Sequence, residues 1–92
     1  MSFYVLNATA DDWESFGQIM PQAAAFAGVT DRSQVAQQIT AVLADGLLQE
    51  MKGASVTPES LRQAPDEYWF AMTPAGRTLW KNEAQKYGDP KS

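Results

Sequence analysis

The sequence predicts a mainly helical α+β domain, and three observations carry that prediction. Apolar residues recur at helical spacing in two stretches, Trp13, Phe16, Ile19 and Met20, then Val35, Ile39, Val42 and Leu43. Two short runs, Leu47 to Met51 and Tyr68 to Thr73, have strand length, and the second is dense in β-formers. Helix-ending and helix-starting residues punctuate these segments at Gly28, Gly46 and Thr73-Pro74. The 92 residues make one domain with one core, because a chain of this size buries only roughly 60–65% of its unfolded surface.

In chain order, Ser2 to Ala8 fits either a strand or one or two helical turns, with helix preferred. The next helix is expected from Trp13 to Ala27, with Asp11, Asp12 and Glu14 at its start, where the helix dipole favours negative charge. Pro21 kinks or ends it, while Ala23 to Ala27 would carry it on to a C-cap at Gly28. Thr30 or Asp31 caps the following helix, with Gln34 as the capping-box partner of Asp31, and Gly46 stops it. Lys52 to Glu67 is rich in Gly, Ser, Thr and Pro without sustained apolar periodicity, so it reads as a long loop. Thr73 caps a last helix with Pro74 at its first position, ended by Gly88-Asp89-Pro90. The expected core is Leu6, Trp13, Phe16, Ile19, Val35, Ile39, Val42, Leu43, Leu47, Phe70, Met72 and Leu79.

Composition excludes much chemistry. No Cys removes disulfides, thiol nucleophiles and thiolate zinc sites; no His removes the commonest general base and transition-metal ligand. Asp11, Asp12 and Glu14 read as dipole-complementing charges rather than cation ligands, and Ser55, Thr57 and Ser60 lie near Lys52 without the pocket a Ser–Lys pair requires. A non-enzymatic protein with no metal or cofactor is expected. The net charge is −4. Residues 1–50 hold Arg32 against six acidic residues, net −5, and residues 51–92 hold six basic against five acidic, net +1. Neither half is a basic patch of the kind that phosphate neutralisation needs. The N-terminus lacks the charged region of a signal peptide, and no run reaches the ~18–20 apolar residues of a membrane span, so a cytoplasmic location without membrane contact is expected.

Two motifs on either side of the long loop carry a family likeness. Ala41-Val42-Leu43-Ala44-Asp45-Gly46-Leu47-Leu48, and then Tyr68-Trp69-Phe70-Ala71-Met72-Thr73-Pro74-Ala75-Gly76-Arg77, resemble the winged helix-turn-helix domains of PadR and MarR regulators over roughly residues 2–88. The resemblance implies a tri-helical core with Phe3 to Ala8 as first helix, Trp13 to Ala27 as second and Asp31 to Asp45 as recognition helix. A two-stranded antiparallel wing and a C-terminal helix follow. It further implies a small DNA-binding transcription regulator, with Arg32, Ser33, Gln34, Gln37 and Gln38 on the recognition helix and Lys52 and Arg62 on the wing facing double-stranded DNA. That surface is poor in cations, since the wing carries Lys52 and Arg62 against Glu59, Asp66 and Glu67, so DNA affinity is expected to be weak and salt-sensitive. The alternative is an acidic winged-helix module for protein contacts.

Aromatic residues offer a second candidate surface. Tyr68, Phe70 and Met72 share one face of their strand and Trp69 and Ala71 the other, which leaves Trp69 to anchor a partner or to lie under the long loop against Pro58, Leu61 or Pro65. On the last helix Leu79, Trp80, Ala84 and Tyr87 form an apolar stripe. Trp69, Trp80, Ala84 and Tyr87 are the expected contacts with a protein partner or a second copy in a homodimer.

Overall fold

The computed structural model describes residues 3–10 and 13–87. The elements are α1 (Phe3–Ala8), β1 (Glu14–Ser15), α2 (Phe16–Ala27), α3 (Arg32–Ala44), β2 (Leu48–Glu50), α4 (Pro58–Gln63), β3 (Trp69–Met72) and α5 (Pro74–Tyr87). The chain is therefore α+β and mainly helical, as its sequence predicts. The sheet has three antiparallel strands in the order β1-β3-β2, one more than the expected two-stranded wing. Leu48 pairs with Met72, Gln49 with Ala71 and Glu50 with Phe70; on the other side of β3, Glu14 pairs with Phe70 and Ser15 with Trp69. The expected pairing of the two strand-length runs is present, although Met51 already lies in the turn beyond β2.

Helix α1 is a short plug, with Tyr4 through Ala8 all buried between α2 and α5. The Thr9 hydroxyl lies 3.1 and 3.2 Å from the Val5 and Leu6 carbonyls and shares its one proton between them, beside the Thr9 amide that donates to the same helix-end acceptors. The second helix starts three residues later than expected. Ser15 is its N-cap: its hydroxyl accepts from the Gln18 amide at 3.3 Å while the Gln18 side chain accepts from the Ser15 amide at 3.1 Å. Glu14 consequently belongs to β1, Trp13 precedes it, and Asp11 and Asp12 lie outside the described residues. Pro21 is accommodated inside α2, where its missing N–H forgoes one bond near the helix start, and the helix continues to Gly28. Gly28 takes the left-handed φ of 69° that closes this end.

Asp31 caps α3 by accepting from the Ser33 amide at 2.9 Å. Val35, Ala36, Ile39 and Val42 form its buried stripe. With Leu6, Phe16, Ile19, Phe70 and Met72 they make the core. Four expected core members, Trp13, Leu43, Leu47 and Leu79, are only half-buried, and Leu48 takes the inward position assigned to Leu47. The register is decided at the junction with α5. The Thr73 amide donates to the Leu47 carbonyl at 3.2 Å and its hydroxyl to the Gly46 carbonyl at 2.6 Å. The same hydroxyl accepts from the Gly76 amide at 3.1 Å and so caps α5. Gly88 to Pro90, the expected stop of that helix, lie outside the described residues.

The largest departure is the long loop, which contains α4. Thr57 caps it reciprocally with Ser60, Pro58 occupies its first turn, and Leu61 is fully buried. Thr57 and Ser60, weighed above as nucleophiles, are thus spent on the cap. No helix of the described residues is long and apolar enough to cross a membrane.

Candidate functional site

The site implied by the sequence is the face of α3, and the structure partly covers it. Helix α4 packs against α3. Leu61 enters the core beside the α3 stripe, and the Arg62 guanidinium donates through Nη1 to the Ser33 hydroxyl at 2.7 Å. A groove of about 460 Å³ runs between the two helices, lined by Ser33, Gln37, Thr57, Pro58, Glu59 and Arg62. Three of the seven expected DNA-facing residues, Ser33, Gln37 and Arg62, therefore meet at this groove.

The other four are placed differently. The guanidinium carbon of Arg32 lies 5.7 Å from the centroid of the Phe16 ring, a cation–π distance, so this cation rests on its own domain. Gln34 is exposed and Gln38 half-buried. Lys52 sits in the turn after β2, where its backbone amide and that of Ala54 both donate to a Glu50 carboxylate oxygen at 2.9 Å. The Glu50 carboxylate thus anchors the turn through backbone amides. Along the exposed flank of α3, Gln34, Gln37, Ala41 and Ala44 follow helical spacing without one charged side chain, and Asp45 closes the line.

The aromatic candidates divide in the same way. Phe70 and Met72 are buried as expected, while Trp69 is half-buried on the opposite face, beside Ser15 in the register. Pro65 and Asp66 lie over that corner: the Gly17 amide donates to the Pro65 carbonyl at 3.2 Å and the Ser15 hydroxyl lies 3.5 Å from the Asp66 carboxylate. A Cβ on Gly17 would come within 2.6 Å of the Asp66 carboxylate oxygen, the movable end of an exposed side chain. Trp80 packs against the core, and its indole N–H donates to the side-chain oxygen of buried Asn7 at 3.3 Å. Arg77 similarly ties α5 to the Ala10 carbonyl at 3.0 Å. The side chains of Ala84 and Tyr87 lie outside the described residues.

Sequence reasoning missed Glu59 and Thr57 as lining residues because it gave their segment no structure. The signal was present in Thr57-Pro58-Glu59-Ser60, a capping residue followed by proline at the first helical position. Burial raises the pKa of the Tyr4 hydroxyl, which has no hydrogen-bond partner among the described residues; it lies in the core and takes no part in this site. No protein-family model matches this chain, and no curated protein or solved structure matches it either.

Proposed function

We propose that the chain is a winged-helix scaffold used for protein contact, with the exposed flank of α3 as its contact surface. The fold half of this reading is supported by the element order: with β1 set between the first two helices and α4 between the paired strands, three helices, the antiparallel pair β2 and β3 and a last helix follow the order that the PadR and MarR likeness implies. The functional half rests on one observation, that α4 lies against α3 and is held there by Leu61 and by the Arg62 bond to Ser33. A recognition helix enters a DNA groove only if its flanks are free and phosphates meet cations. Here one flank, with Ser33 and Gln37, faces α4, the exposed face beside it carries Gln34, Ala41 and Ala44, and Arg32 sits over Phe16. An uncharged helix face with Ala41 and Ala44 allows close approach by a protein surface and offers no cation to a phosphate backbone.

The test is a photo-crosslinking amino acid placed at Ala41 on that flank, with a control at Lys81 on α5, both exposed. Expressed in its native host, the Ala41 variant is expected to yield one discrete protein adduct that the Lys81 variant lacks. Crosslinking of the Ala41 variant to nucleic acid, or identical adduct patterns for both positions, overturns the proposal. A DNA reading keeps one favourable feature: Arg32 and, through Ser33, Arg62 both stand at the N-terminal end of α3, the end that helix-turn-helix proteins present to base edges.

A further inference from the structure

The groove between α3 and α4 carries two opposite charges that leave each other unpaired. Glu59 and Arg62 stand three apart on α4, a spacing at which such residues commonly pair. Instead Arg62 turns toward α3, where Ser33 is its only side-chain partner among the described residues, and Glu59 has none. Ser33 occupies Nη1 alone, so the guanidinium is held in place while its other N–H donors stay available. Both charges line the same space, with the Gln37 amide and Thr57 beside them and Pro58 as an apolar wall. The volume of about 460 Å³ falls within the ~300–1,000 Å³ typical of small-molecule sites.

We infer that this groove binds a small zwitterion, an α-amino acid. Its carboxylate bonds to the free edge of the Arg62 guanidinium and to the Gln37 amide, its ammonium bonds to Glu59, and its side chain lies on Pro58. Charge selects this class over simple ions. A chain of net −4 repels a free anion, and a lone ammonium ion would leave Arg62 unmatched, whereas a dipolar ligand of zero net charge satisfies both groups at once. The site is open to solvent, so binding is weak, in the millimolar range that a few screened contacts give. This inference shares the packing of α4 on α3 with the protein-contact reading but concerns a different surface, the groove rather than the exposed face at Ala41.

The experiment is an amide-resolved NMR titration of the full chain with the neutral L-amino acids, one at a time, followed by the N-acetyl and carboxamide forms of the one that binds best. The expected result is saturable shifts at the amides of Ser33, Gln37, Glu59 and Arg62, with about tenfold weaker binding when either ligand charge is blocked. The conservative variants Glu59→Gln and Arg62→Gln, both at exposed positions, are each expected to weaken binding about tenfold while their spectra stay folded. Absence of saturable shifts for every amino acid overturns the inference. So does an N-acetyl form that binds as tightly as its parent, which would mark a simple anion site, or shifts confined to residues outside the groove.

Discussion

Gly76 is the position at which one added carbon should do most harm. It is buried in the first turn of α5, and a Cβ built on it would run into the Leu47 carbonyl oxygen, with the Leu47 carbonyl carbon at 2.9 Å and Cα at 3.2 Å. All three are backbone atoms, so no rotamer change relieves the contact. Gly76→Ala must push the start of α5 away from residues 46–47, and two bonds span that gap: the Thr73 amide to Leu47 and the Thr73 hydroxyl to Gly46. Their loss costs about 0.5–1.5 kcal/mol each, overpacking adds about 1–3 kcal/mol, and the better helix propensity of alanine returns at most about 1 kcal/mol. The expected net cost is about 1–5 kcal/mol. At about 4–8 °C per kcal/mol for a domain of this size, a central loss of ~3 kcal/mol lowers Tm by roughly 12–24 °C. Thermal unfolding followed by circular dichroism reads it directly, with Ala75→Gly at the exposed neighbouring position as control, expected to cost no more than about 1 kcal/mol. A Gly76→Ala variant as stable as the parent would refute the close approach of α5 to residues 46–47.

Three further outcomes follow from the packing. Leu61→Ala should cost about 2–5 kcal/mol in urea unfolding because its side chain is fully buried, whereas a cost near zero would return residues 52–67 to a surface loop. Tyr4→Phe should be neutral or stabilising by up to ~1 kcal/mol at neutral pH, since the buried hydroxyl has no hydrogen-bond partner among the described residues. Its raised pKa makes the stability it contributes complete below the unfolded value near pH 10 and lost as pH climbs through the higher folded value, so Tyr4→Phe should flatten alkaline unfolding above about pH 10; identical alkaline curves would contradict this. Trp80→Ala should lower stability by about 1–3 kcal/mol without changing the mass seen by light scattering, because the indole is engaged with Asn7 and its own core; a halved mass at unchanged stability would place Trp80 in a dimer contact instead.

Much of this fold was legible because local chemistry and packing agree. Asp31 before a Val35-Ile39-Val42 stripe, Gly46 after it, and Thr73-Pro74 before α5 each mark a boundary that the structure keeps. The elements that escaped are those too short to show a period. The two residues of β1 have no alternation to read, and the helical spacing of Trp13 with Phe16 drew the start of α2 back past Ser15, whose capping box with Gln18 was the better marker. In α4 only Leu61 is fully buried, so hydrophobic periodicity was silent and the cap carried the signal. Leu47 and Leu48 are identical neighbours, and a one-residue slip exchanges faces; hydrogen bonds from distant Thr73 decide between them. The candidate site was visible as residues and invisible as a place, because the bond joining Arg62 to Ser33 spans 29 positions and nothing local announces it.

The central claim, that α4 and an uncharged flank turn α3 away from DNA, is tested most directly by titrating a labelled random duplex at low salt, beside Arg32→Ala. Non-specific DNA binders saturate at roughly 1–100 μM at physiological salt and tighter below it. The expected result is no saturation up to about 100 μM protein at low salt and no effect of Arg32→Ala. Micromolar binding that falls with salt and weakens in Arg32→Ala would contradict the account and give α3 back to DNA.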